Sequence, residues 1–275
     1  MFSFLRPWSA GKVSRPGVPR GHGMPGHRGV MVVGHGTANP VGADETRQVA
    51  ERVGGLMPGV AVELGFLEVI GPTIGDAVAA LAARGCSEVV VAPLLLFAAG
   101  HARQDVPEAV REAAAAAGVR AAQAEPLGCH EAVVRLAAAR RREAVVGLRP
   151  VPDAETVLVV IGRGSSDPTA REQLSAFVRA TRPTQSRVEL GFVAAARPSL
   201  DEALAAAVRG GGARRVVVQP HLLFRGHVEE QVTAAVARGR QEHPEVEWVQ
   251  AARLGADPLV AQAVVDRAAA TSFVG

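Results

Sequence analysis

The chain has 275 residues, of which 48% are apolar and only 4% aromatic, with a formal net charge of +3. That length allows two domains of ordinary size, and the Ala/Val-rich, aromatic-poor composition suits helices layered on a sheet rather than an aromatic-rich β fold. Lys12 is the only lysine, and no dense basic run with interleaved aromatics occurs, which argues against nucleic acid as a partner. The two cysteines, Cys86 and Cys129, lack Cys-x-x-Cys spacing, so a disulfide scaffold, zinc ribbon or iron–sulfur site is not indicated. No apolar run approaches membrane-spanning length.

Residues 1–28 are rich in Pro, Gly and Arg and lack the apolar centre of a signal peptide. They read as a disordered leader that includes His22 and His27, within which Met24 offers an alternative start, and the protein is expected in the cytoplasm. From residue 29 two textures alternate. Apolar, β-branched runs at 30–33, 60–66, 88–92 and 119–124 have the character of buried parallel strands. Ala-rich segments with helical spacing at 43–57, 73–84, 105–117 and 130–146 fall between and after them. After a linker-like stretch at 147–153, the pattern resumes. Strands are expected at 156–161, 186–192, 214–219 and 246–251, and helices at 169–181, 200–209, 228–240 and 258–270.

The halves also share words. Val62-Glu63-Leu64-Gly65-Phe66 returns as Val188-Glu189-Leu190-Gly191-Phe192, Pro72 as Pro198, Val89-Val90-Val91 as Val216-Val217-Val218, and Gly100-His101 as Gly226-His227. So long a period points to a duplicated domain, not a solenoid. The expected fold is α/β with two duplicated flavodoxin-like or Rossmann-like lobes, each a four-stranded parallel sheet flanked by helices. The expected boundaries are 29–148 for a lobe carrying the active site and 149–275 for a lobe with a degenerate one.

In such sheets ligands bind beyond the carboxyl ends of the strands. The first half puts His35, Glu68 and His101 on the connections after its first three strands, Glu68 reading as the end of a strand. The second half has Arg163 and Ala194 where the first has His35 and Glu68, while His101 persists as His227. Two imidazoles and a carboxylate suit a borderline divalent cation with coordination positions left open. Before His101 runs Pro93-Leu94-Leu95-Leu96-Phe97-Ala98-Ala99-Gly100, too apolar for an ordinary loop and fit either to cover a flat apolar ligand or to pack on the other half. Arg47, Arg103, Gln104 and Arg163 flank the same edge, where helix starts near Ala43 and Asp105 would help receive carboxylates. Glu63, present in both copies, reads as structural and paired with an arginine or a helix N-terminus. His130 and His243 read as surface or packing residues without partners, and His221 and His227 are left open.

Val33-Gly34-His35-Gly36-Thr37, Phe66-Leu67-Glu68 with Pro72, and the apolar loop ending in Gly100-His101 before Asp105-Val106-Pro107 resemble the sirohydrochlorin chelatase family, the CbiX/SirB type of class II tetrapyrrole metal chelatases. The resemblance implies a two-lobed chelatase fold and insertion of Fe²⁺ or Co²⁺ into sirohydrochlorin for sirohaem or cobalamin. It implies that His35, Glu68 and His101 hold the metal and carry catalysis, with Thr37, Leu96, Phe97, Gly100, Arg47, Arg103 and Arg163 around the substrate. The metal is then a substrate, and no prosthetic group, nucleotide, nucleic acid or membrane is expected; one chain holding both lobes need not dimerise. Two other readings use the same residues: a non-catalytic metal or tetrapyrrole carrier, and a histidine phosphatase, although in the latter the histidine follows an arginine and here it follows Gly34.

Overall fold

A computed structural model describes residues 27–97, 105–185 and 187–273. The first sheet contains β1 (His27–Gly34), β2 (Ala61–Phe66), β3 (Cys86–Pro93) and β4 (Arg120–Gln123), all parallel, in the order β2-β1-β3-β4. Its helices are α1 (Pro40–Leu56), α2 (Ile74–Ala83), α3 (Asp105–Ala117) and α4 (Glu131–Glu143). The second sheet repeats the order as β6-β5-β7-β8, from β5 (Thr156–Gly162), β6 (Arg187–Phe192), β7 (Arg215–Pro220) and β8 (Glu247–Gln250). Its helices are α5 (Ala170–Ala180), α6 (Leu200–Val208), α7 (His227–Glu242) and α8 (Pro258–Ala269). The expected α/β duplication is therefore what the chain forms. β1 starts earlier than expected: His27 and Arg28 already pair with β3 and do not belong to a leader.

Strand alternation sorts the apolar residues onto two faces. Val30 and Val32, with Val90 and Ala92, point into one core, while Met31 and Val33, with Val89 and Val91, point into another against α2 and α3. In the second sheet Val157, Val159 and Ile161 meet α6 and α7, and Leu158 and Val160 meet α5. Helix starts are fixed by side chains that satisfy the first free amides. Asn39 caps α1 with Pro40 behind it, Asp257 caps α8 with Pro258 behind it, and Thr73–Asp76 and Ser199–Glu202 form reciprocal boxes on α2 and α6.

One arrangement joins the halves. The last helix of the second copy packs on the first lobe: Val260, Ala261, Ala263 and Val264 of α8 are buried with Val30, Val49, Val53 and Val90. The last helix of the first copy reaches the second lobe in return. Ala137 O of α4 accepts from Gln219 Nε2 (2.6 Å), and the Arg141 guanidinium donates to Thr181 Oγ1 and Gln219 Oε1, 3.3 Å each. Arg141 is buried there with no carboxylate paired to it among the described residues, and burial lowers its pKa. Each of the buried valines Val260 and Val264 contributes about 1.5–3 kcal/mol of apolar transfer to a lobe not its own. Among the described residues, no helix is long and apolar enough to cross a membrane.

Candidate active site

Because β2 and β3 flank β1 on opposite sides, the connections after β1 and β3 diverge at the carboxyl edge and open a crevice. The chain after β1 and the chain after β2 remain joined there by backbone bonds: Leu67 N donates to Gly34 O (2.9 Å) and Glu68 N to His35 O (3.1 Å). Glu68 thus lies two residues beyond β2, not at its end as the pattern suggested, because pairing continues past the last strand residue. Gly36 makes the close approach possible. Its φ is +99°, and a Cβ would stand 1.9 Å from Glu68 O, so only glycine fits.

This scaffold sets the His35 imidazole against the Glu68 carboxylate, with Nε2 3.0 Å from Oε1 and the side chains 41% and 57% exposed. Two ligands each about 2.1 Å from one ion lie about 3.0–3.4 Å apart in octahedral or tetrahedral geometry, so this pair can face a common cation without rearranging. Beside it Val33, Gly34, Leu67, Leu95 and Val106 close over a small apolar hollow that admits no water. Gly100, His101, Arg103 and Gln104 lie outside the described residues. Among the described residues no cluster of three metal-binding side chains occurs.

The remaining candidates divide. The Thr37 hydroxyl accepts from Asn39 N (3.1 Å) and closes the turn into α1. The Asn39 side chain takes the amides of Val41 and Gly42, so the start of α1 is occupied by its own cap and is not an open carboxylate receptor. At α3 the first turn carries Asp105 and Glu108, which oppose an anion. Arg47 is exposed, its guanidinium carbon 6.0 Å from the Phe66 ring centre. In the apolar loop, Leu95 O and Leu96 O accept from Leu127 N and Gly128 N. Phe97 turns to the other half, its ring centre 6.5 Å from that of Phe177 and 5.1 Å from that of His221. Of the two uses open to this loop, the half-buried Phe97 takes part in inter-lobe packing.

Glu63 meets Arg84 at 2.8 Å, as expected of a structural carboxylate. The expectation that His130 and His243 lack partners is overturned. His130 caps α4 and lies 3.4 Å from Asp266, and His243 lies 3.3 Å from Glu245. His221 is buried against Phe177 and Phe97, its Nε2 finds no hydrogen-bond partner among the described residues, and burial pushes its pKa down to about 3. His227 is exposed at the start of α7 beside Gln231.

The second lobe copies the scaffold without the His–Glu pair. Ala194 N donates to Arg163 O (2.9 Å), Gly164 has φ +91°, and a Cβ there would stand 1.8 Å from Ala194 O. Arg163 is exposed at the tip. One feature escaped the sequence: Arg253 bonds Glu45 on α1 and Glu229 on α7, tying the lobes beside the crevice. Nothing in a single chain signals a partner 208 positions away.

Fold and site together define a two-lobed α/β protein with one His–Glu pair at the cleft edge. The CbiX family model matches residues 29–144 and 157–271, once over each lobe, and the chain belongs to that family. It is 29% identical over 250 residues to a sirohydrochlorin cobaltochelatase of Priestia megaterium, covering 89% of this chain and 81% of that one. It is 30% identical to a sirohydrochlorin ferrochelatase of the same organism, covering 74% and 76%. Among solved structures, SirB from Bacillus subtilis with Fe³⁺ superposes with a TM-score of 0.77 at 27% identity, covering 87% of this chain and 93% of that one.

Proposed function

We infer that this protein is a metal chelatase that inserts Fe²⁺ or Co²⁺ into sirohydrochlorin, on a route to sirohaem or cobalamin. The observation that carries the reading is the His35–Glu68 pair at 3.0 Å on a strand-edge scaffold, in a chain whose relatives are sirohydrochlorin chelatases. The carboxylate beside the imidazole also opposes a phosphate, which disfavours a histidine phosphatase.

Insertion exchanges one dication for two pyrrole N–H protons, so the site needs a loose grip on the metal and a proton acceptor. A carboxylate and one imidazole provide hard and borderline donors for the incoming ion and leave coordination positions for the pyrrole nitrogens. An imidazole cannot ligate and accept a proton at once. In this reading Glu68 and one of His35 and His101 hold the metal while the other histidine receives pyrrole protons. The half-buried Leu67 and Leu95 keep water from the ring face, and Arg47, Arg103 and Arg163 are the cations offered to the peripheral carboxylates. The lobes divide accordingly, with the active site in 29–148 and a degenerate site in 149–275. The enzyme acts in the cytoplasm as a single chain, without nucleotide, prosthetic group, nucleic acid or membrane.

Following the absorption change of sirohydrochlorin with Fe²⁺ or Co²⁺ tests this. The expected result is a rate above the spontaneous reaction that His35→Ala abolishes while the fold persists. Binding without acceleration makes the protein a carrier, and unchanged activity in His35→Ala removes that residue from the site.

A further inference from the structure

The second lobe lacks the ligand pair, yet its β7–α7 connection reaches the first lobe's site. At Gly42, in the first turn of α1, a Cβ would stand 2.2 Å from the carbonyl oxygen of Arg225 and 3.3 Å from Thr37 Cγ2. The Arg225 backbone therefore shares a contact point with Thr37, two residues from His35. Its amide is held as well, donating to Glu45 Oε2 at 2.8 Å. Glu45 accepts from Arg253 Nε (3.3 Å), and Arg253 Nη1 donates to both oxygens of Glu229, at 2.9 and 3.1 Å. The side chains of Glu45, Glu229 and Arg253 are only 13%, 14% and 23% exposed, so this peptide is fixed by charges largely removed from water.

That network also leaves Arg225 uncompensated. The two acids near it, Glu45 and Glu229, are both committed to Arg253. The Arg225 side chain is exposed, and among the described residues no carboxylate pairs with it. A single exposed arginine ordinarily does little for its protein. This one differs because its backbone is clamped at the rim of the cleft while its acidic neighbours are engaged elsewhere. A guanidinium so placed presents a planar fork to a carboxylate at little cost in backbone ordering.

We propose that Arg225 binds a peripheral carboxylate of the tetrapyrrole, so that the second lobe supplies substrate-holding charge to the metal site of the first. This assignment rests on the chelatase reading for its ligand. Nothing in the chain's charge pattern marks Arg225, because the position matters only once Gly42 and Glu45 have brought it to α1.

The test is equilibrium binding of metal-free sirohydrochlorin, read from its own fluorescence, to the full chain and to Arg225→Ala, Arg225→Lys and Arg209→Ala. Arg209 is an exposed arginine at the carboxyl end of α6, at the opposite sheet edge. Loss of one charge-assisted bidentate contact should weaken binding about tenfold in Arg225→Ala, less in Arg225→Lys, and not in Arg209→Ala. Against the fully methyl-esterified macrocycle, wild type and Arg225→Ala should bind alike. Thermal melts of both variants verify folding, and Arg225→Lys carries the test if the alanine variant melts early. Equal affinity of wild type and Arg225→Ala for the free acid overturns the assignment even where metal insertion is fast. Tight binding that depends on Arg225, without insertion above the spontaneous rate, sinks the chelatase reading and leaves the carboxylate contact standing. No binding by wild type overturns both.

Discussion

Gly36→Ala is the sharpest test of the site because the duplication provides its own control. A Cβ at Gly36 would lie 1.9 Å from Glu68 O, whereas real contacts of this kind do not fall below 3.0 Å. Relief therefore moves the Glu68 backbone away from His35 by about 1 Å, since the contact is with main chain and not with a flexible tip. The left-handed φ of +99° adds about 1–2 kcal/mol of strain for any L side chain. A misplacement of about 1 Å in a reacting constellation costs about 10²-fold in rate, so insertion of Co²⁺ into sirohydrochlorin should fall by that factor. Gly164→Ala imposes the same insult on the second lobe: φ +91° and a Cβ 1.8 Å from Ala194 O, where no carboxylate side chain follows. The two variants should lose similar stability in urea unfolding. Under the proposed roles, only Gly36→Ala should lose most of the insertion rate, with Gly164→Ala staying within about fivefold of wild type. Equal rate losses in the two variants would refute a functional His35–Glu68 spacing and assign the effect to general destabilisation.

Three further outcomes are expected. His221 has a folded pKa of about 3 against about 6.5 when unfolded, so the unfolded state takes up a proton first as pH falls. Its contribution is constant above about pH 6.5 and is lost between about 6.5 and 3 at up to about 1.4 kcal/mol per pH unit; His221→Leu, matching Leu94 of the first copy, should flatten that part of the stability curve measured by chemical denaturation, and an unchanged slope would place the titration elsewhere. Arg253→Met strands Glu45 and Glu229, both largely removed from water, and should cost about 2–4 kcal/mol in urea unfolding, whereas a loss below about 0.5 kcal/mol would mean the network is solvated and does not hold the lobes together. The double variant Arg163→His/Ala194→Glu places an imidazole and a carboxylate on the copied scaffold and should raise Co²⁺ stoichiometry from one to two per chain in equilibrium dialysis; a stoichiometry of one would show that backbone register alone does not define the ligand pair.

The sheets were legible because parallel strands buried on both faces read as continuous apolar runs, as in Val30-Met31-Val32-Val33 and Thr156–Gly162. The duplication made the order of elements redundant, so each half checked the other. The placement of α8 was not legible. Val260, Ala261 and Val264 announce an apolar face, but the pattern is silent on which sheet that face covers, and it covers the other lobe's. At the site, His35 and Glu68 stood out because the second copy replaces both, whereas Gly36 and Gly164 agree and so read as common scaffold. The contacts of Phe97 with the Phe177 and His221 rings could not be read in advance, because an apolar loop before a histidine has the same composition whether it meets a ligand or another lobe. Arg253 and Glu45 could not be paired in advance, since salt-bridge partners remote in the chain leave no periodic trace.

The two lobes share a backbone and differ at its tips, which locates the asymmetry in side-chain chemistry. Glu68 N to His35 O and Ala194 N to Arg163 O are the same bond, as are Leu94 N to Val33 O and His221 N to Ile161 O. A flat polycarboxylate ring that takes up one dication has no use for a second cation site across the same cleft. Two divalent ions facing each other in a partly dry crevice would repel, and each would compete for the same pyrrole nitrogens. Under the proposed roles, a guanidinium at the position mirrored to His35 removes that competition, since it cannot ligate a metal, and it supplies positive charge where the ring's periphery is negative. Arg163 and Arg225 are both cations on the copy that has lost its carboxylate. Under the proposed roles, division of one duplicated lobe into a metal-holding half and a carboxylate-holding half requires only substitutions at strand tips, with the strand-edge bonds of Glu68 N, Leu94 N, Ala194 N and His221 N kept in place.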